Sequence, residues 1–416
     1  MSGRDRQSAI YLAGVAGRRP RVPVRPARLE ARARRAMSRR AYAYVAGGAG
    51  TEATVRANRA AFDAWRIVPR MLRDTEKRDT GVTVFGRRLP APFLLGPVGV
   101  LELVHRDADV AVARAASAAG VPMVFSNQAS RPMEECAAAM GDAPRWFQLY
   151  WSTSDELVAS LVGRAEAAGC EAIVLTLDTT TLGWRPRDLD LAYLPFSHGL
   201  GIAQYTSDPV FRRLAATHPA GPSPRPSAAA VRALVDVARA YPGPFLANIR
   251  SELPRRAVRA FLDIYSRPSL AWDDLAYLRG LTSLPIVLKG ILHPDDARRA
   301  IDAGMDGVVV SNHGGRQVDG AIGSLDALPA VVDAVGGAVP VFLDSGVRTG
   351  ADVVKAVALG ATAVLLGRPY VYALAIAGEA GVRQFLADLA ADVDLTMALA
   401  GHRSVDEIDA AALTRA

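Results

Sequence analysis

The feature that most constrains this chain is a unit repeated between residues 90 and 370. It consists of a short apolar run, a polar or glycine tip, and then an Ala-rich amphipathic stretch ending near a glycine. The apolar runs fall at 93–96, 121–125, 146–150, 172–177, 286–288, 307–310, 341–343 and 363–366. Runs this short, broken by turn residues, read as buried strands. The stretches 108–119, 155–168, 295–303 and 351–359 carry helical periodicity, and Gly120, Gly169, Gly304 and Gly360 follow them as C-caps. Repeated βα units argue for an α/β chain folded as a (β/α)8 TIM barrel, in which the site is built at the carboxyl ends of the strands.

The tips agree with that placement. In order they present Pro97, Val98 and Gly99; Ser126, Asn127 and Gln128; Gln148 and Tyr150; Thr176 and Asp178; Lys289 and Gly290; Ser311 to Arg316; Asp344 to Arg348; and Gly367 with Arg368. Polar groups converging from separate strands are hard to explain as random loop composition. Two stretches do not fit the repeat. Residues 1–85 precede the barrel and read as an N-terminal arm and helical cap. The connection over 184–284, after the fourth strand, is too long for a plain turn and reads as a lid or excursion. It contains a Pro/Ser/Gly linker at 219–227, a helix over 228–240, and a segment at 245–248 that can be a ninth strand but ranks as part of the excursion. Residues 86–416 then form the barrel unit, with C-terminal helices over 371–416.

A chain of 416 residues that is 50% apolar can bury a large core. Its net charge of +7 comes from arginines spread along the whole length, and the densest basic stretch, 18–40, lacks the interleaved aromatics of a nucleic-acid platform. That stretch reads as a solvated, partly helical arm, and no nucleic-acid partner is expected. Cys136 and Cys170 have no CxxC spacing, so buried thiols are expected rather than a disulfide or a metal site. The apolar stretch 9–15 is short, contains Gly14 and runs into Arg18-Arg19-Pro20 rather than a small-residue cleavage site, so no export signal is expected. Nothing approaches the roughly 18 apolar residues of a membrane span. The expectation is a soluble cytoplasmic protein.

The chemistry is densest in Ser-Asn-His-Gly-Gly-Arg-Gln-Val-Asp-Gly, residues 311–320. His313 can take a proton near neutral pH, Arg316 can fork two hydrogen bonds onto a carboxylate, and the paired glycines let backbone approach a flat ligand. A base and a carboxylate clamp this close suggest chemistry at the α-carbon of an organic acid. Lys289 can stabilise negative charge on the polar edge of a flat ring ligand, while Gln148, Thr176 and the backbone of Pro97 to Gly99 can bond it. Asp344, Gly346 and Arg348, with Gly367 and Arg368, suit a phosphate at the last two strands. Arg185 is a second carboxylate candidate, or else a loop arginine paired to Asp188 or Asp190. Tyr150 can bond a 2-hydroxyl, and Asp178 can hold His313 and stabilise its imidazolium. Tyr44, by its local pattern alone, reads as core packing.

From about residue 35 to 405 the chain resembles the FMN-dependent 2-hydroxy-acid oxidases and dehydrogenases, a family that includes glycolate oxidase and lactate oxidase. The resemblance is carried by residues 42–49, 147–150, 176–178, 288–290, 311–320, 343–348 and 367–369. It implies that Tyr44, Tyr150, Arg185 and Arg316 contact substrate, that His313 is the base and that Asp178 is its partner, reversing the local reading of Tyr44. It also implies FMN held by Pro97, Val98, Gly99, Ser126, Gln148, Thr176, Lys289, Ser311, Asp344, Gly346, Arg348, Gly367 and Arg368. Within the family, residues 7–17, 44–50, 68–72, 183–190 and 290–320, with the extended loop, most resemble the L-lactate 2-monooxygenase type. That type implies L-lactate and O2 as substrates, acetate, CO2 and water as products, and a homo-oligomer, tetramer or octamer. The alternative is a simple oxidase or dehydrogenase releasing the 2-keto acid, with H2O2 where O2 is the acceptor. Gly99 stands where simple oxidases commonly carry alanine, implying added room beside flavin N5. Gln128 stands where glycolate oxidase has a bulky aromatic, which leaves the substrate side chain open. A flavin-free barrel acting on a phosphorylated ligand would explain Arg348 and Arg368 but give His313, Arg316 and Lys289 no joint purpose. A non-catalytic barrel would predict these residues scattered or replaced.

Overall fold

Eight parallel strands close into a barrel in the computed structural model, which describes residues 2–221, 225 and 227–416. They are β1 (Phe93–Leu95), β2 (Met123–Phe125), β3 (Arg145–Leu149), β4 (Ile173–Thr176), β5 (Ile286–Ile291), β6 (Gly307–Val310), β7 (Val341–Asp344) and β8 (Ala363–Leu366). Each pairs with its sequence neighbours, and β8 pairs with β1 to close the ring. Helices follow the strands: α1 (Ala108–Ala119), α2 (Met133–Met140), α3 (Asp155–Ala167), α4 (Leu275–Leu281), α5 (Pro294–Asp302), α6 (Ser324–Val335), α7 (Gly350–Ala358) and α8 (Arg368–Ala400). The TIM barrel expected from the repeat is the observed fold.

Strand periodicity explains how one ring of strands makes both a core and a site. Side chains alternate faces with a period of two. Outward residues such as Phe93, Leu95, Phe125, Phe147 and Leu175 pack into the core beneath the helices. The inward residues Leu94, Val124, Trp146, Val174, Val287, Val309, Phe342 and Leu365 fill the barrel interior. Two residues further along each strand, the inward positions are Gly96, Ser126, Gln148, Thr176, Lys289, Ser311, Asp344 and Gly367.

Below the interior residues, a β-hairpin of Val82–Val84 and Arg87–Leu89 closes the amino-terminal end. Phe85, at its turn, lies 5.6 Å from the Trp146 ring, which meets Phe342 at 5.5 Å. The segment before the barrel therefore does more than cap it with helices. Four helices, Gly3–Val15, Pro26–Ala36, Arg39–Ala46 and Ala53–Asp63, come first, then Trp65–Ile67 pairs with Leu413–Arg415 near the carboxyl terminus. Residues 85 and 86 fall within the hairpin turn. Helix α8 runs past the barrel with a kink at Ala377 and Gly378.

Between β4 and α4 the chain makes a helical insert: Pro186–Leu189, Ala203–Thr206, Pro209–Thr217, Ala228–Ala240, Phe245–Arg250 and Leu253–Ile264. It buries Tyr205, Phe211 and Phe261 as a small aromatic core with edge contacts at 5.4 and 4.8 Å. The helix expected over 228–240 is found. The candidate ninth strand at 245–248 is a helix instead. A closed barrel has no free edge to accept it, and the Asn248 amide caps the preceding helix by donating to the Ala238 and Tyr241 carbonyls at 3.0 and 2.8 Å. The 219–227 linker lies in part outside the described residues. Cys136 and Cys170 are buried free thiols. No helix among the described residues is long and apolar enough to cross a membrane.

Candidate active site

The strand tips surround one cleft with about 1010 Å³ of empty space, including the part open to solvent. Every residue expected at substrate or cofactor lines it except Asp178, Thr176 and Ser311. Each of those three is hydrogen-bonded to a residue that does: Asp178 to His313, Thr176 to Gln148, Ser311 to Lys289.

The tip after β6 is a chain of left-handed residues, His313 at φ 56°, Gly314 at 66° and Gly315 at 74°. Glycine is required at the last of these, since a Cβ there would stand 2.7 Å from the Val55 nitrogen. The tight turn is fixed by the His313 N–H donating to Ser311 Oγ at 3.0 Å, and by a buried reciprocal amide pair between Asn58 and Asn312 at 2.8 and 2.7 Å. It presents His313 with Nδ1 at 2.7 Å from Asp178 Oδ1, and Thr179 Oγ1 bridges the pair at 3.0 and 3.2 Å. A carboxylate on Nδ1 favours the tautomer that leaves Nε2 with its lone pair free. Burial works against the Asp178 charge, but His313, Lys289 and its hydrogen bonds outweigh it and hold the pKa near about 2. For His313 burial wins over the pull of Asp178, so its pKa lies below that of an ordinary imidazole and the ring is neutral at pH 7.

Lys289 stands across from this pair. Its Nζ donates to Ser311 Oγ at 2.8 Å and lies 3.0 Å from Asp344 Oδ2. Burial disfavours the ammonium, yet Asp344 and Asp178 raise its pKa, so it stays charged. Gln148 has a fixed amide orientation, with Nε2 donating to Thr176 Oγ1 at 3.0 Å and Oε1 accepting from Ser126 Oγ and the Asn127 N–H, both at 3.2 Å.

Two arginines meet at the cleft beside Tyr44. Arg316 sits 5.0 Å over the Tyr44 ring and donates through Nη1 to the Gly47 carbonyl at 3.0 Å and to the Tyr44 carbonyl. Arg185, only 7% exposed, donates to the Arg316 carbonyl at 3.1 Å and to Gln317 Oε1 at 2.8 Å. It forms no ion pair with Asp188 or Asp190, so the bland alternative is not what the structure contains. Burial, then the nearby Arg316 charge, push its pKa down to about 10. Among the described residues neither guanidinium has a carboxylate within ion-pair distance, and Asp188 is the acid that acts on both, so the pair makes a place for a further anion.

A second cationic pole lies under β7 and β8. Gly346, at φ 92°, exposes backbone next to Arg348, whose half-buried guanidinium donates to its own neighbour's carbonyl, Val347, at 2.8 Å. Arg368 donates to the carbonyls of Val45, Gly314 and Gly47 at 3.0, 2.8 and 2.9 Å, and burial holds its pKa to about 10. Its charge faces the cleft while its hydrogen bonds stitch the mouth together. The donor set thus fits an FMN: a buried ammonium and a fixed carboxamide on one side, glycine backbone and two half-buried guanidinium groups on the other.

A Cβ on Gly99 would stand 2.9 Å from the Gln128 carbonyl oxygen and 3.0 Å from its Cβ. Glycine at 99, which itself lines the cleft, therefore accommodates the neighbouring tip. Several cleft residues escaped the sequence reading: Thr179, Leu182, Phe196 and Val45. Thr179 adjoins Asp178 and was within reach of the tip argument. Phe196 comes from the insert, where no strand repeat points to the mouth.

The chain matches the family described as FMN-dependent dehydrogenase over residues 33–415. It is 45% identical over 400 residues to an FMN-dependent alpha-hydroxy acid dehydrogenase of Penicillium citrinum, covering 96% of this chain and 92% of that one. It is 41% identical over 365 residues to an L-lactate oxidase of Lysinibacillus sphaericus, with 88% and 86% covered. A crystal structure of mandelate oxidase with (S)-4-hydroxymandelic acid matches with a TM-score of 0.77 at 39% identity, covering 95% of this chain and 99% of that one. The chain belongs to the FMN-dependent dehydrogenase family. It is an oxidoreductase that uses FMN to oxidise an alpha-hydroxy acid.

Proposed function

We propose that the enzyme oxidises a small L-2-hydroxy acid, L-lactate in the first place, with O2 to acetate, CO2 and water. The observation that carries this reading is the His313–Asp178 pair at 2.7 Å beside two arginines that lack a carboxylate partner. Arg316 and Arg185 hold the substrate carboxylate, and Tyr44 and Tyr150 bond the carboxylate and the 2-hydroxyl. Burial raises the Tyr150 pKa, so its phenol stays a donor. His313 Nε2 takes a proton from the substrate as the α-C–H bond breaks, and Asp178 stabilises the imidazolium. FMN, when bound, would supply the acceptor for the electron pair and the second hydrogen that leave the substrate. Lys289, Gln148 and Thr176 would hold its ring edge, with Ser126, Ser311 and the backbone of Pro97, Val98 and Gly99 around them. Asp344, Gly346, Arg348, Gly367 and Arg368 hold the ribityl and phosphate end. Decarboxylation requires the keto acid to stay until oxygen has reacted, and buried Arg185 with Phe196 of the insert supports that retention. The working form is a homo-oligomer, a tetramer or octamer by family resemblance.

A second reading, release of the 2-keto acid by a simple oxidase or dehydrogenase, is favoured by relatives described as L-lactate oxidases. Product analysis on L-lactate under air decides: acetate with CO2 supports the first, pyruvate with H2O2 the second. Anaerobic bleaching of the flavin by (S)-mandelate but not by L-lactate would overturn the substrate.

A further inference from the structure

Gln317 follows Arg316 directly and is not among the cleft-lining residues, yet its carboxamide is fully engaged with the loop that leaves β4. Nε2 donates to the Asp178 carbonyl at 2.7 Å and the Thr181 carbonyl at 2.8 Å. Oε1 accepts from the Gly183 N–H at 3.3 Å and from Arg185 Nη2 at 2.8 Å. Both donors and both lone pairs are used, and the amide has only one workable orientation: two carbonyls need donors, and an N–H and a guanidinium need an acceptor. These four bonds span the run that begins with the histidine's carboxylate partner and ends with the buried arginine.

Resting on the function proposed above, we propose that Gln317 is a positioning residue for the oxidation: one side chain sets Asp178 behind His313 and Arg185 beside Arg316, so that base and carboxylate clamp are aligned together. The economy of the arrangement supports this. The peptide that carries His313 and Arg316 also carries the group that fixes their partners, so the two loops move as one unit. Arg185 has one further tie to the same peptide, Nε to the Arg316 carbonyl at 3.1 Å. A purely structural brace would need only the backbone contacts to Thr181 and Gly183.

The test uses FMN-loaded Gln317→Met, which keeps length and removes every hydrogen bond, and Gln317→Asn, which keeps the amide and loses the reach. Small misplacement of reacting groups costs up to about a hundredfold, so kcat/KM for the 2-hydroxy acid should fall roughly ten- to hundredfold with FMN content unchanged. The KM should rise, pyruvate should bind the holoenzyme more weakly by calorimetry, and amides in 178–185 should exchange faster. The acid limb of kcat/KM should also move to lower pH. The charged groups facing His313 are Asp178 and Asp344, which favour its charged form, and Lys289 and Arg185, which oppose it. Asp178 is the larger influence, so its retreat lowers the pKa further even as Arg185 loosens. An unmoved acid limb and unmoved pyruvate affinity in both variants overturn the inference. So does activity that falls only in step with bound flavin, which would make Gln317 a brace of the fold. The two readings separate cleanly: near-normal reduction in His313→Gln sinks the proposed function, whereas a dead His313→Gln beside normal Gln317 variants sinks only this inference.

Discussion

The two ends of the barrel are built from the same eight strands and do opposite work. On β3, Trp146 belongs to the interior plug and Gln148, two residues on, lines the cleft. On β7 the same step separates Phe342 from Asp344, and on β5 Val287 from Lys289. One end is closed by an aromatic cluster with Phe85 of the hairpin, where burial of apolar surface is the whole argument. The other gathers an ammonium, four guanidinium groups, an imidazole and two carboxylates. Buried charge of that density is unfavourable on its own and becomes tolerable through pairing, hydrogen bonds and an anionic ligand. The comparison teaches that stability and chemistry are separated along the barrel axis by one strand period.

The largest effect expected at the chemical end is His313→Gln. A positioned general base contributes about a hundredfold to ten-thousandfold, so anaerobic flavin reduction should fall by about that factor while FMN stays bound. Reduction near the wild-type rate would remove His313 from the mechanism. The same residue sets a pH signature. The base works when deprotonated, so kcat/KM rises with pH through its pKa, and because burial lowers that pKa the limb should lie on the acid side of an ordinary histidine, leaving the profile flat through neutrality.

At the plugged end, Phe342→Ala should cost about 3–5 kcal/mol of stability, read in unfolding of the FMN-bound enzyme, with kcat per bound flavin unchanged. A loss of kcat per flavin without a loss of stability would break the separation of the two ends.

Arg316→Lys should be milder. Lysine keeps the charge but loses the planar fork, and reduction efficiency should drop roughly tenfold to a hundredfold with an unaltered flavin spectrum. Unchanged kinetics would assign the substrate carboxylate to Arg185 and the tyrosines.

These residues were readable in sequence because the barrel imposes order. A run of buried strand residues ends at the mouth, so the tip that follows is a site by position, as with Lys289 or Asp344. The insert gave no such handle. Phe196 reaches the cleft through tertiary packing, Tyr205 lies behind it, donating to Asn127 Oδ1 at 3.1 Å, and no period in 184–284 points there. Tyr44 is the intermediate case: it sits on a helix whose local pattern reads as core, the family resemblance moves it to the cleft, and Arg316 over its ring shows which wall it forms. Residues 245–248 were ambiguous for a different reason, since four apolar-rich residues suit a strand or a helix turn until the closed barrel removes the edge.

The smallest effect tests whether the chemical end also contains ordinary packing. If Gly99 opened space toward the flavin, Gly99→Ala would change turnover and leave stability alone. The structure argues otherwise, because the new methyl would press on the Gln128 carbonyl and Cβ at 2.9 and 3.0 Å. Gln128 is not free to yield: its carbonyl accepts the Val100 N–H at 2.9 Å, and its own N–H donates to Ser126 Oγ at 3.1 Å. Overpacking of a fixed tip costs about 1–3 kcal/mol. Gly99→Ala should therefore destabilise the enzyme by about that amount and weaken FMN binding through displaced Ser126. Normal stability and FMN affinity with altered products would return Gly99 to the ring and make the two tips independent.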